Sequence, residues 1–207
     1  HNDLIKEYSD MCKRIFSLSG VISFNQGIVS LGRPWIFPKL FSLLNGNFKI
    51  SGEASYEEYE NDIKSSFYQD ICISDILELS YTQVLEIQNQ IAEEFGITDI
   101  SNIKQFVVDK QEREFREFVE QEFGINKVSE VLSFISQRND KKVQELVTDN
   151  ALVPTIFEYI LAIAWYYISD KKFQLRKSMQ LTFSADNLPL SHAGGNKGDI
   201  EIEYSDK

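Results

Sequence analysis

The sequence predicts a mostly α-helical protein with a small β part. Apolar residues recur at helical spacing through most of the 207 residues, which indicates a series of amphipathic and buried helices. Two short β-prone runs flank a glycine-containing turn near the start, and the last residues alternate between isoleucine and acidic side chains. We therefore expect three consecutive segments, 1–50, 51–150 and 151–207, with strands only in the first and the last.

The first segment predicts a helix, a hairpin and a second helix. Residues 3–19 carry apolar side chains at helical spacing, and Gly20 ends the pattern. The runs 21–24 and 28–31 surround Asn25-Gln26-Gly27, which is typical of a two-stranded hairpin. Residues 35–44 are helical in pattern. This order matches the final part of a winged helix.

The second segment opens with a polar, tyrosine-bearing connector over 47–70. A helix follows, because Ser80 is a favourable N-cap and Gly96 is a favourable C-terminal stop after Phe95. We interpret the whole segment 51–150 as an acidic helical linker domain.

A long helix is expected over 102–123, capped by Ser101 and ended by Gly124. Its lysine, arginine and glutamate residues predict a solvated face with pairs at i,i+4 spacing. Two further helices are expected over 127–138 and 141–148. The apolar stripe of the long helix consists of Phe106, Val107, Phe115, Phe118, Val119 and Phe123.

The third segment changes from helical to strand-like patterns. An apolar helix over 154–169 leads into strand-like runs at 173–176 and 179–183, followed by a glycine-rich loop. Residues 199–204 alternate strictly, which predicts a β-strand with unlike faces. Asp199, Glu201 and Glu203 would then share one face of that strand.

Composition excludes several classes of protein. The two cysteines, Cys12 and Cys72, are too few for a disulfide scaffold or a cysteine-rich zinc site, and we interpret them as free thiols. The most apolar run, 152–168, contains a proline and a glutamate, so we expect a core helix and no membrane span. A cytoplasmic location is the expectation.

The net charge of −11 is unevenly distributed. Residues 1–50 carry a net charge of +3, residues 51–150 carry −13, and residues 151–207 carry −1. A polyanion requires a basic surface, so the acidic middle cannot be one. One interpretation of that acidic middle is a non-enzymatic helical scaffold or partner-binding module.

Three side chains in the last segment could support chemistry. Glu158 is the only charge between Ala151 and Ile168, so it either faces a polar helix edge, pairs with a lysine, or ligates a metal. His192 precedes the glycine-rich loop and could simply bond a backbone carbonyl. Asp199 could belong to an exposed acidic strand face. The residues alone leave these alternatives open.

Two stretches resemble the AlwI-like type IIS restriction endonuclease family. These are Phe157-Glu158-Tyr159 and, about forty residues later, the run from Leu190 to Tyr204, which contains His192 and leads from a glycine-rich loop into Asp199. Upstream, residues 8–44 resemble the end of the family's recognition region, and the connector and helices follow in the same order. Gly198 stands where the family has a proline.

The resemblance implies a PD-(D/E)xK-type nuclease that uses Mg²⁺ to hydrolyse DNA outside its recognition site. It implies that Asp199 is the central metal ligand, that Glu158 is a helix carboxylate beside it, and that His192 lies in the same active site. The segments then become the end of a winged-helix DNA-recognition region (1–50), a linker (51–150) and an incomplete cleavage domain (151–207).

The resemblance also implies limits on this chain. The family's second metal carboxylate should lie about a dozen residues past Asp199, beyond Lys207, so we expect a fragment that does not cut DNA alone. Double-stranded DNA is the expected partner, with a homodimer or second cleavage subunit in addition, and strand nicking is an alternative activity. Lys13, Arg14 and Arg33 could contact phosphates or be ordinary surface charges.

Overall fold

The computed structural model describes residues 2–44, 74, 79–193 and 198–204. Two compact units are present: one combines residues 1–33 with 106–207, and the other comprises 34–105. The predicted connector 47–70 lies outside the described residues. The expectation of a mostly helical chain with a small β part is confirmed. The functional division into three segments stays a prediction, as do the winged-helix and PD-(D/E)xK assignments.

The larger unit begins with the predicted helix and hairpin. Helix α1 (Asn2–Leu18) is followed by β1 (Ile22–Asn25) and β2 (Ile28–Leu31), which pair antiparallel. The two residues of the turn, Gln26 and Gly27, have φ values of 48° and 80°. This left-handed pair matches the right-handed twist of the two strands, which is why the hairpin closes with two residues.

The smaller unit contains two described helices, α2 (Phe37–Leu44) and α3 (Tyr81–Phe95). The predicted cap of α3 is confirmed: Ser80 and Gln83 form a reciprocal capping box, and Gly96 ends the helix at φ 65°. Trp35 packs edge-to-face on Phe95, with ring centroids 5.8 Å apart.

Helix α4 (Ile103–Glu122) crosses the sequence boundary between the units, and its start differs from the prediction. A short 3₁₀ turn, Ile100–Asn102, precedes it, and the cap is Asp99. The prediction that Ser101 caps the helix is wrong. Ser101 lies inside the 3₁₀ turn, and its backbone N–H donates to the Asp99 side chain at 2.9 Å.

Three more helices complete the helical part of the larger unit: α5 (Ile125–Ser136), α6 (Asp140–Leu146) and α7 (Val153–Ile168). Helix α7 is its centre, and Ile156, Tyr159, Ile160 and Ile163 are fully excluded from solvent. Phe115 and Phe123 of α4 pack edge-to-face on Tyr159. Within the described residues, no helix has the length and apolar character that a membrane crossing requires.

The region after α7 departs from the prediction at two places. Residues 173–176 were predicted as strand-like, but Leu175–Ser178 form a short helix, α8. Strand β3 (Leu181–Phe183) pairs antiparallel with β4 (Pro189–His192), which lies inside the predicted loop. The reason is the tight turn between them, where Asn187 adopts φ 66° and Ser184 donates its N–H to Leu188 O.

Residues 198–204 pair with the chain through two isolated antiparallel bridges, Phe173 with Tyr204 and Met179 with Ile200. The predicted alternation is present, since Ile200 and Ile202 pack against the core while the acidic side chains are exposed.

Candidate metal centre

Three side chains predicted from the sequence converge in the larger unit. Glu158 lies on α7, His192 ends β4, and Asp199 opens the segment 198–204. The Nε2–H of His192 donates to Glu158 Oε1 at 2.8 Å, and His192 Nδ1 lies 3.9 Å from Asp199 Oδ1. One ligand atom from each residue lies within 4.8 Å of the others.

The backbone of Gln180 brings two of these residues together. Its carbonyl accepts the N–H of Ala193 at 2.8 Å, and its N–H donates to the carbonyl of Asp199 at 3.0 Å. The β4 end and the 198–204 segment are therefore attached to opposite sides of one residue just before β3. Sequence reasoning missed Gln180, because its role uses only main-chain atoms and leaves no signal in residue type.

The surroundings of Glu158 identify the partner of its side chain, and its role as a metal ligand stays a prediction. Its side chain is 15% exposed and pairs with His192, where the sequence suggested a lysine or a polar edge. Burial raises the pKa of Glu158, as does the negative charge of Asp199, while the contact with His192 lowers it. The carboxylate is therefore partly desolvated and lies next to a second carboxylate, an arrangement typical of a site that takes a cation.

The three residues fit a divalent cation. Glu158 Oε2 is buried and has no hydrogen-bond partner among the described residues, so one carboxylate oxygen has lone pairs to offer. Asp199 is the more exposed carboxylate, and its side chain is 69% accessible. Carboxylate oxygens are the ligands that Mg²⁺ prefers in proteins. Glu158 and Asp199 could hold such an ion, with His192 beside them.

The three predicted DNA contacts occupy different environments. Lys13 and Arg14 lie on α1, where Arg14 is exposed and Lys13 is half-buried. Arg33 follows β2 at φ 45° and is partly buried, and its burial lowers its pKa. Their contact with DNA stays a prediction.

Comparison with known families gives the chain an identity at family level. The model of the AlwI restriction endonuclease family matches residues 2–207. The chain belongs to this family. No curated protein and no solved structure matches the chain significantly. Membership of a restriction endonuclease family indicates a nuclease, that is, a hydrolase whose substrate is DNA, and the expected resemblance is thereby confirmed.

Proposed function

We propose that this chain is part of a type IIS endonuclease that hydrolyses DNA outside its recognition site with Mg²⁺. The observation that supports this most directly is the convergence of Glu158, His192 and Asp199. These residues come from a helix, a strand end and a following extended segment, which suits the predicted PD-(D/E)xK-type cleavage domain in 151–207. Type II site-specific deoxyribonuclease is the corresponding enzyme class.

Asp199 and Glu158 would hold the Mg²⁺ ion. When bound, the ion supplies activation of a water molecule and stabilisation of the negative charge that develops on phosphorus and the leaving oxygen. His192 fixes the orientation of Glu158 by donating to Oε1, which leaves Oε2 as the free oxygen. Because Glu158 is partly buried, few water molecules reach Oε2, which strengthens its electrostatic attraction for a cation.

The N-terminal residues would contribute to DNA binding. Residues 1–50 would be the end of a winged-helix recognition region, with Lys13, Arg14 and Arg33 as phosphate contacts, and 51–150 would be the linker. Cutting both strands would require a homodimer or a second cleavage subunit, whereas a single site would nick one strand. A cytoplasmic location would follow from this function.

The deciding experiment is a plasmid digest with the full reading frame, in Mg²⁺ and in EDTA. Asp199→Asn should abolish cleavage, because it removes a ligand charge and keeps the shape of the side chain. Asp170→Asn is the matched control, since Asp170 is an exposed aspartate that pairs with Lys172. The 207-residue chain is assayed in parallel to test the expectation that it does not cut alone.

The outcomes separate the alternatives. Cleavage that needs the metal and Asp199 supports the endonuclease, and the cut positions distinguish nicking from double-strand cleavage. Wild-type cleavage by Asp199→Asn would refute the assigned role. A folded, DNA-binding protein that does not cut would instead favour the scaffold interpretation, which the net charge of −13 over 51–150 supports.

A further inference from the structure

A cleft of about 290 Å³ opens on the larger unit, next to the candidate metal centre but separate from its three side chains. Its lining includes two glutamines, one from α4 and one just before α8, and two basic residues of α8. We call it the Arg176 pocket; the lining residues that matter are Gln111, Glu112, Gln174, Arg176, Lys177 and Phe183.

Arg176 is held rigidly in this pocket. Its backbone N–H donates to Glu112 Oε2 at 3.0 Å, which ties α8 to α4. Its guanidinium lies 4.6 Å from the centre of the Phe183 ring and 5.9 Å from that of Phe115. Such stacking orients a guanidinium and leaves its N–H groups free to donate in the plane.

One of those N–H groups has no acceptor in the part of the chain that the structure describes. Arg176 Nη1 is buried and has no hydrogen-bond partner among the described residues. Glu112 is buried, and its Oε2 accepts the Arg176 backbone N–H, whereas its Oε1 lies 3.8 Å from Arg116 Nε and has no hydrogen-bond partner among the described residues. The Glu112 carboxylate lines the same pocket but forms no hydrogen bond with Arg176 Nη1. A buried charged donor without an acceptor is costly, so an added acceptor at Nη1 is favoured.

The electrostatics of the pocket favour an anion as well. Burial lowers the pKa of Arg176 and the positive charge of nearby Arg33 lowers it further, while the Glu112 carboxylate acts in the opposite direction. The Arg176 guanidinium, which is partly desolvated and repelled by Arg33, is stabilised by an added negative group. The amide groups of Gln111 and Gln174 add neutral donors at the same cleft.

The location of the pocket indicates which anion it binds. Leu181 lines the pocket and is the antiparallel partner of His192, so the pocket and the metal centre are one cross-strand step apart. We propose that the Arg176 pocket binds a phosphate group, supplied by the DNA backbone close to the bond that is cut. The choice of DNA as the source rests on the proposed function. The planar fork of an arginine suits two phosphate oxygens at once.

The first test uses inorganic phosphate and the 207-residue chain, with chloride at matched ionic strength. Thermal unfolding of the wild type should shift upward with phosphate, because a ligand that binds only the folded state stabilises it. Arg176→Met should lose the shift. Gln111→Glu should weaken phosphate binding at least about fivefold, since it places a carboxylate at the pocket without altering Arg176.

Gln121→Glu is the matched control, because Gln121 is exposed on the same helix and outside the pocket. It should respond to phosphate like the wild type. No response in the wild type, or an equal response in wild type and Gln111→Glu, overturns the pocket. This conclusion holds whether or not the protein cuts DNA.

The second test measures binding of the full-reading-frame protein to a fluorescent DNA duplex in EDTA, so that binding is observed without cleavage. Arg176→Met should weaken binding about tenfold for any sequence and reduce the salt slope of log K by about 1. An unchanged slope, with the phosphate response lost, shows that the pocket takes free phosphate and refutes DNA as the source. A full-reading-frame protein that binds phosphate but no duplex refutes the endonuclease proposal, whereas the proposal that the pocket binds phosphate stands.

Discussion

Two glutamates of the larger unit, Glu158 and Glu112, are both partly or fully buried but have different partners. Glu158 and Glu112 both have a pKa raised by burial, and each has one buried carboxylate oxygen without a hydrogen-bond partner among the described residues. They differ in the other oxygen, which accepts from His192 in Glu158 and from the backbone of α8 in Glu112. The sequence marked Glu158, because it is the only charge in an apolar helix. Glu112 has no comparable signal in the sequence, because it lies among the lysines, arginines and glutamates of α4. The prediction that this face is solvated is wrong for Glu112, which is buried.

Glu112 makes a pH-dependent contribution to stability. Because its pKa is higher in the folded state than in the unfolded chain, the folded state binds a proton more tightly in the interval between the two values. Stability therefore rises as the pH falls through that interval. We expect the unfolding free energy of the wild type to increase relative to Glu112→Gln as the pH falls from neutral toward the ordinary glutamate pKa of about 4.3.

Urea unfolding at several pH values checks this. Glu117→Gln is the control, because Glu117 is exposed on the same helix. It should run parallel to the wild type across the whole range. A constant difference between wild type and Glu112→Gln would mean that Glu112 has an ordinary pKa in the folded protein.

Among the elements, helices with local end signals were the most predictable. The ends of α3 follow from Ser80 and Gly96, whose side-chain chemistry and conformational freedom act within one turn. Strand β4 was not predictable in the same way, since its four residues include a proline and its pairing depends on β3. The short helix α8 is held by Glu112, 64 residues earlier in the chain, so no local pattern reveals it.

The capping box at α3 can be tested directly. Ser80→Ala removes the acceptor of the Gln83 N–H, which lies at 3.3 Å, and the hydroxyl that donates to Gln83 Oε1, whereas the backbone N–H of residue 80 can still donate to that oxygen. We expect a loss of about 1 kcal/mol, concentrated in the first turn of α3. Amide hydrogen exchange should show faster exchange there. Thr82→Ala, at an exposed position one residue into the same turn, should leave these amides protected, and an equal effect of both changes would contradict the cap.

At the scale of the molecule, one compact unit is built from two parts of the chain that are separated in sequence. The sequence suggests consecutive segments, yet residues 1–33 belong to the same unit as 106–207. Contacts distant in sequence make this so: Asn150 donates its side-chain amide to Phe24 O at 2.5 Å, and Gln26 donates to Glu145 O at 3.0 Å. Such contacts involve ordinary polar residues, and without homologous sequences nothing in the chain marks them as partners.

The same limit applies to the apolar face of α1. Its helical spacing correctly predicted a helix, but spacing alone does not say whether the face is covered. Among the described residues it remains largely open, with Tyr8, Ile15 and Phe16 each more than half exposed. The candidate metal centre was more predictable, because the AlwI-like motifs place its carboxylates in recognisable surroundings. The pairing of its histidine with Glu158 was not, since it depends on β4.

Gly32 provides a test of the discontinuous unit. A Cβ atom at this position would lie 2.6 Å from Gly20 O and 2.9 Å from Ala185 Cβ, so the N-terminal hairpin and the turn after β3 would have to separate. Gly32→Ala should therefore destabilise the larger unit by about 1–3 kcal/mol, the usual cost of overpacking. Gly124→Ala is the control, because a Cβ there meets nothing within 4 Å. Denaturant unfolding followed by hydrogen exchange should place the loss in residues 1–33 and 106–193 together, because they unfold as one cooperative unit. A loss confined to the hairpin would show that 1–33 folds independently of the residues around the candidate metal centre.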